Sequence, residues 1–292
     1  GQQDRGRVSG WGVGIGYVGS IIAVVTGSVL LDAYGYPAVF RTIAVLFLLF
    51  ATPAFLFIDE RPRPKPVGRG PSPARSLHQL VATWKRAATY GGIVRFLIGR
   101  FLYTDAINTL IGGFLAIFVV QELDFTDDQV QLLLGIAIVA AIAGGIAAGR
   151  LTDRYGPRRV LFWALYTWIV AMVGGIAAAA TGQGALAWAI GPFGGLALGA
   201  TWASDRVFMA RISPPRYLGE FYGLYATVGR FATVLGPLIW GVIVNRLNLP
   251  RTVAMAALVG FIVAGRLVLG GVSDRIRVWS PEDVGAPAPE SG

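Results

Sequence analysis

Long apolar stretches separated by short polar ones run along almost the whole chain. About 20 apolar residues in helical conformation cross the hydrocarbon core of a bilayer, and eight stretches come close to or exceed that length. They are Trp11–Leu31, Pro37–Ile58, Phe96–Val120, Val130–Gly149, Val160–Ala180, Ala185–Ala203, Tyr222–Val244 and Thr252–Gly271. Each can satisfy its own backbone hydrogen bonds as a helix, as lipid requires. The pattern predicts an all-α polytopic membrane protein, and we number these stretches span one to span eight.

One polar interruption is much longer than the others. It begins with DERPRPKPVGRGPSPARS at residues 59–76, where the proline and arginine content predicts an extended linker. Leu77, Leu80, Val81 and Trp84 then fall at helical spacing. This spacing predicts an amphipathic helix, which lies either on the membrane surface or against cytoplasmic loops.

Composition and charge narrow the class of protein. Only 14 % of the residues are charged, against about 25 % in a soluble domain, so a soluble globule is excluded. The absence of cysteine and the single histidine, His78, exclude a disulfide framework, thiolate metal sites and histidine clusters. We therefore predict no metal and no cofactor.

The net charge is +9, and most of the basic residues lie in the polar segments between the apolar spans. Alternation through eight spans puts most arginines on one side of the membrane, which the positive-inside rule makes the cytoplasm. The start of the chain, the linker and the carboxyl terminus are then cytoplasmic. Because topology accounts for the charge, we expect no nucleic-acid partner.

Two short motifs recur at an offset of 210 residues. Val18-Gly19 returns as Val228-Gly229, and RTIA at 41–44 returns as RTVA at 251–254, each time opening the second helix of a pair. Parallel repeats of this kind are typical of transporters. Six spans follow the linker and two precede it, so we expect two six-helix halves and a chain that lacks the first four helices. The predicted parts are two helices of the first half in 1–58, the linker in 59–94, a six-helix bundle in 95–278 and a disordered tail in 279–292.

The loop GRLTDRYGPRRV at residues 149–160 carries a motif. It resembles the loop signature between the second and third helices of each half in the major facilitator superfamily. The matching positions are Gly149, Leu151, Asp153, Arg154, Gly156, Arg158 and Arg159. The resemblance implies a major-facilitator-type helical bundle, with the eight spans equivalent to helices 5–12 of twelve. It also implies a gating role, with Asp153 near the start of span one, paired with Arg158 or Arg159 or facing a helix N-terminus.

Further stretches resemble one branch of this superfamily, the autophagy-related vacuolar amino-acid effluxers and their bacterial relatives. These stretches are RVSGWGVGIGYVGS at the start, YTDAINT in span three, and the run of Arg206, Pro214, Glu220, Phe221 and Gly223. The resemblance makes amino acids a candidate substrate. It also points to a bacterial plasma membrane.

Polar residues inside the spans are the candidate site, because a charge at the bilayer centre costs about 2.5–3.5 kcal/mol. Asp105, Asn108 and Thr109 form a stripe on span three, a helix that lines the cavity in the resembling family. Asp105 would bind a substrate ammonium group or carry a coupling proton. The alternative is a structural ion pair with Arg230 or Arg100, and we expect Arg100 itself to reach the cytoplasmic interface. Trp202 and Tyr225 are further candidates for substrate contact, although such aromatic residues more often serve packing.

These features predict a secondary transporter of a small solute, driven by an ion gradient, with protons as a candidate, or by the solute's own gradient. No GxxxxGK[ST] loop occurs in the sequence, so we do not expect ATP to drive it. A membrane enzyme would need converging histidine, cysteine or carboxylate groups near one interface, and we predict that the chain is not an enzyme. The alternative function is a transport-inactive membrane sensor or scaffold with the same fold.

Overall fold

The computed structural model describes residues 5–57, 73–275 and 277–284, and these are helical almost throughout. The helices are α1 Arg5–Phe57, α2 Pro73–Thr89, α3 Ile93–Thr109, α4 Leu115–Leu123, α5 Asp127–Tyr155, α6 Pro157–Thr181, α7 Gly184–Ala187, α8 Ile190–Ile212, α9 Leu218–Phe231, α10 Leu235–Gly241, α11 Arg251–Leu269 and α12 Pro281–Val284. Within the described residues, eight helical segments are long and apolar enough to cross a membrane. They coincide with the eight predicted spans, which confirms the fold class.

The chain divides into two compact units, Val18–Leu77 and the combination of Gly1–Tyr17 with His78–Gly292. In the smaller unit, α1 contains the rest of span one and span two as far as Phe57. The two are separated at Gly35, where φ is +71° and ψ is 179°. A positive φ is readily adopted by glycine alone, so Gly35 allows the chain to turn between the spans. Residues 58–72, which include most of the stretch at 59–76 predicted as extended, lie outside the described residues, whereas the predicted amphipathic segment is helical as α2.

The larger unit is a helical bundle around one apolar core. Phe96 of α3 and Phe208 of α8 meet edge to face with ring centroids 5.0 Å apart, and both are fully buried. Other large apolar side chains of the bundle, such as Ile98 on α3, Val139 on α5 and Val170 on α6, stay exposed. A bundle with an apolar core and an apolar outside is the arrangement that lipid permits.

The carboxyl-terminal segment packs on the turn between α2 and α3. The Tyr90 hydroxyl donates a hydrogen bond to Asp283 over 2.6 Å, and the Arg277 guanidinium donates one to the Gly91 carbonyl. The hydrogen bond lowers the pKa of Asp283 and raises the pKa of Tyr90 to about 12. Part of the tail predicted as disordered is therefore helical, at Pro281–Val284. Residues 285–292 lie outside the described residues.

Candidate functional site

Span seven is not one continuous helix. Helix α9 ends at Phe231 and α10 begins at Leu235, with Ala232 at φ −76° and ψ 54° outside helical geometry. Pro237 is the third residue of α10, a position in the first turn where the missing N–H of proline leaves no helical bond unmade. Sequence alone predicts a bend at Pro237. The structure shows a break that begins five residues earlier.

The polar stripe of span three binds both ends of this break. The Gly236 N–H at the start of α10 donates to Asp105 Oδ2, and Asn108 Nδ2 donates to the Ala232 carbonyl over 2.7 Å. Thr109 donates to the Asp105 carbonyl on its own helix, also over 2.7 Å. The carboxylate thus faces the positive end of one half-helix and the amide N–H₂ faces the negative end of the other.

Asp105 retains one oxygen that this arrangement does not use. Its side chain is 0 % exposed, and Oδ1 has no hydrogen-bond partner among the residues that the structure describes. The expected alternative, an ion pair with Arg230 or Arg100, is wrong. Arg230 is exposed, and Arg100 is engaged with another carboxylate.

A second polar cluster lies near one end of the bundle, and sequence reasoning missed it. Arg100 Nε lies 3.3 Å from Asp205 Oδ2, and the Tyr103 hydroxyl donates to the same oxygen over 3.4 Å. The Arg100 guanidinium stacks on Tyr225, 3.7 Å from the ring centroid. Arg100 therefore does not reach the interface as expected, since it is 5 % exposed and Asp205 is 0 % exposed. Each lies seven residues, about 10 Å, from the end of its helix, and this equal depth is the only sequence signal for the pair.

The structure divides the predicted cavity residues among several places. Asp105, Asn108 and Thr109 stay together at the break in span seven, and Tyr225 joins the Arg100 cluster. Trp202 borders both the main apolar core and a small second apolar cluster, against which Tyr17 also packs. The six candidates therefore do not form one site within the described chain.

The motif loop holds the first turn of α1. Asp153 Oδ1 accepts the Gly6 N–H over 2.8 Å and Oδ2 accepts the Arg7 N–H over 2.9 Å. Gly149 lies against the same turn, and a Cβ there would meet the Gly6 carbonyl oxygen at 2.7 Å. Of the two expected interactions of Asp153, the contact with a helix N-terminus is the one observed.

The basic residues of the motif bind elsewhere. Arg158 Nη2 donates to the Gly270 carbonyl at the end of α11 over 2.6 Å, and its backbone N–H donates to Asp274 over 3.3 Å. Gly156 has φ +89° and faces Asp274 so closely that a Cβ would lie 2.8 Å from Oδ2. Arg154 lies over the Tyr155 ring, 5.1 Å from its centroid, and Arg159 is exposed. The loop therefore links the starts of α1 and α6 to the end of α11.

No group of three or more histidine, cysteine, aspartate or glutamate side chains that could bind a metal occurs in the described parts of the chain. The chemistry available in the described residues consists of two buried carboxylates, Asp105 and Asp205, each with one oxygen that accepts no hydrogen bond, and several helix ends bound by side chains. Asp205 also forms the buried ion pair with Arg100. These groups can bind a small polar solute or a proton and can hold helices in one arrangement.

Comparison with known proteins gives one family. The family model described as "Vacuole effluxer Atg22 like" matches residues 2–275. The Autophagy-related protein 22-1 of Penicillium rubens is 29 % identical over 266 residues, which cover 82 % of this chain and 44 % of that protein. Its namesake in Aspergillus fumigatus is 27 % identical over the same shares. The "Uncharacterized MFS-type transporter YxiO" of Bacillus subtilis is 24 % identical over 280 residues, 91 % of this chain and 63 % of that protein.

The chain thus spans less than half the length of the fungal relatives that it matches. The names of the family and of the bacterial relative denote an effluxer and a transporter, not enzymes. Both the superfamily and the branch expected from the sequence motifs are confirmed.

Proposed function

The chain belongs to the Atg22-like vacuole effluxer family, and from that membership we propose that it serves in secondary transport of a small solute by alternating access. The observation that carries the proposal is the broken span seven, whose two helix ends are bound by Asp105 and Asn108 of span three. Discontinuous helices with exposed backbone ends are the usual place for substrate and ion binding in secondary transporters. Span seven is the element that changes during transport, and span three supplies the groups that respond to the solute.

Asp105 is the residue that couples the solute to this movement. One of its oxygens binds the start of α10, whereas the other is buried and free to take a proton or to meet a cationic group. An unpartnered buried carboxylate oxygen is costly, so the site gains free energy when a proton or an ammonium group arrives. Arg230, at the end of α9 and exposed, would bind a solute carboxylate.

Amino acids carry an ammonium group for Asp105 and a carboxylate for Arg230, and are therefore the first substrates to test. Either their own gradient or a proton gradient supplies the free energy. The likeness to a bacterial relative favours a bacterial plasma membrane. The concentration of arginine at one end of the helices favours a cytoplasmic linker and carboxyl terminus.

The test is the Asp105→Asn variant, assayed for flux of radiolabelled amino acids in proteoliposomes. Asparagine keeps an oxygen that can accept the Gly236 N–H, so the break should remain bound while the charge and the proton site are lost. We expect flux to fall at least tenfold, with an unchanged elution profile and thermal midpoint.

Asp124→Asn is the matched control, because Asp124 directly follows the helical segment of span three, which ends at Leu123, is exposed, and has a positive φ of 55° that asparagine tolerates. Its flux should equal that of the parent protein. Loss of folded protein in Asp105→Asn would mean that Asp105 only holds the helices together. If neither this chain nor a form extended to the length of its relatives shows substrate-dependent flux with any amino acid or pH gradient, the sensor or scaffold function replaces the proposal.

A further inference from the structure

A large open cavity lies at the end of the bundle that carries the motif loop. Its volume is about 760 Å³, and its walls are the loop between α5 and α6, the end of α8 and the segment that follows α11. This is the size of a site for a small molecule or a lipid headgroup. It is separate from the break in span seven, since neither Asp105 nor Asn108 lines it.

The walls of this cavity are strongly basic. Three half-buried arginines line it, Arg158, Arg211 and Arg277, and the exposed arginines Arg5, Arg154, Arg159 and Arg275 stand around them. The acidic side chains among its described lining residues are Asp153 and Asp274.

Neither carboxylate forms an ion pair with these arginines in the part of the chain that the structure describes. Asp153 accepts the backbone N–H groups of Gly6 and Arg7, and Asp274 accepts the backbone N–H of Arg158. No ion pair involving a cavity arginine occurs within the described chain, where the three ion pairs join other residues. The cavity wall therefore holds seven arginines against two carboxylates, which leaves an excess of positive charge around one space.

Like charges that surround one space repel each other, and more strongly near a protein surface than in bulk water. An anion in the cavity would remove that repulsion. The planar donor fork of arginine matches phosphate oxygens, to which it makes charge-assisted paired hydrogen bonds. We propose that this cavity binds a phosphate-bearing anion, supplied either by the headgroup of an acidic phospholipid or by soluble phosphate.

Membrane topology alone does not account for the arrangement. The positive-inside rule requires basic residues in the short loops on one side of the membrane. Exposed residues such as Arg150 satisfy that requirement. It does not require arginines from three separate chain segments to surround one cavity with their side chains half-buried. Acidic headgroups lie at the depth where helices leave the bilayer, and basic pockets between helix ends bind them in other membrane proteins.

The experiment compares two phosphate sources on the purified protein. Native mass spectrometry measures retention of phosphatidylglycerol against phosphatidylcholine from mixed micelles. A thermal-midpoint titration measures binding of inorganic phosphate against chloride at equal ionic strength. Selective retention of phosphatidylglycerol identifies the lipid source, and a saturable rise of the midpoint with phosphate identifies the soluble source.

Two variants inside the cavity and one outside it decide the proposal. Arg211→Gln and Arg275→Gln should each weaken the observed binding about tenfold, whereas Arg150→Gln, exposed at the same end but outside the cavity, should leave it unchanged. If Arg211→Gln does not fold, Arg275→Gln alone decides, because its exposed side chain makes no hydrogen bond or ion pair with the residues described. Binding of neither probe, or equal loss in Arg150→Gln, would overturn the proposal.

Discussion

Arg100 and Asp205 are buried at 5 % and 0 % exposure, and each is the nearest opposite charge of the other among the residues described. Removing one member of a buried ion pair leaves an uncompensated charge, which costs about 3–5 kcal/mol. We expect Asp205→Ala to lower the free energy of unfolding by that amount. Urea or thermal unfolding of the detergent-solubilised protein, followed by near-ultraviolet circular dichroism, measures it.

The exposed pair of Arg86 and Glu220 supplies the control. These side chains lie 2.5 Å apart but are 42 % and 30 % exposed, and a solvent-accessible pair contributes at most about 1 kcal/mol. Arg86→Gln should therefore have a small effect. Replacing both Arg100 and Asp205 with apolar residues should recover most of the loss. Equal effects of Asp205→Ala and Arg86→Gln would show that the buried pair is not a stabilising element.

Asp153 is the residue that holds the start of α1 to the end of α5, through two hydrogen bonds to backbone N–H groups. Loss of a carboxylate that caps a helix N-terminus costs about 0.5–2 kcal/mol, enough to change the populations of two conformations several-fold. We expect Asp153→Ala to favour the state that is open at this end, the inward-open state of the proposed transporter.

A cysteine in place of Ser9 (Ser9→Cys) reports this change, because Ser9 lies at the contact between α1 and α8, where its hydroxyl donates to the Ala203 carbonyl over 2.8 Å. Opening at this end would expose that position to a labelling reagent. Its labelling by a maleimide should be several-fold faster when Asp153→Ala is present. Asp128→Ala, at the exposed start of the same helix α5, should leave the rate unchanged. An equal labelling rate with and without Asp153→Ala would contradict the role of Asp153 as a latch.

At the scale of elements, the closest packing in the larger unit is between α5 and α8. A Cβ on Gly199 would lie 2.6 Å from the backbone nitrogen of Gly145, and one on Gly144 would lie 2.8 Å from Leu196 Cα. Small residues let helices approach to backbone contact in membranes. The spacing of glycines in spans four and six predicts close helix packing, because residues four apart share one helix face, but it does not predict which helices meet.

We expect Gly199→Ala to separate these helices and to destabilise the fold by about 1–3 kcal/mol, the usual cost of overpacking. Gly174→Ala in α6 is the matched control, since a Cβ there meets nothing within 4 Å. Alanine is the better helix former, so this variant should be neutral or slightly stabilised. Thermal midpoints of the two variants test the contrast, and equal midpoints would contradict close packing.

The break in span seven shows how far an element can be predicted. Gly236 and Pro237 indicate an irregular helix, and the i, i+3, i+4 spacing of Asp105, Asn108 and Thr109 predicts one polar face. What those residues bind could not be predicted, because the free N–H and carbonyl groups exist only once α9 and α10 separate. Sequence reasoning therefore considered a charged side chain as the partner of Asp105. In the structure, the partner is a backbone group, the N–H of Gly236.

For the whole molecule, sequence predicts the spans and the position of one motif, but not the long-range partners. Apolar length determines a span locally, and repeat symmetry places Asp153 at the start of span one. The pairing of Arg100 with Asp205 joins residues 105 positions apart. It depends on how three helices rotate against one another, for which the sequence contains no local signal.

The orientation in the membrane is a prediction that applies to the entire chain. The sequence contains no cysteine, so a single introduced cysteine reports its own side without background labelling. Gln79→Cys on α2 and Gln183→Cys between α6 and α7 are exposed positions predicted on opposite sides. In intact bacterial cells, a membrane-impermeant maleimide should label Gln183→Cys directly and Gln79→Cys only after permeabilisation. The reverse pattern would place the arginine-lined cavity outside the cell, and labelling of both in intact cells would remove a span between them.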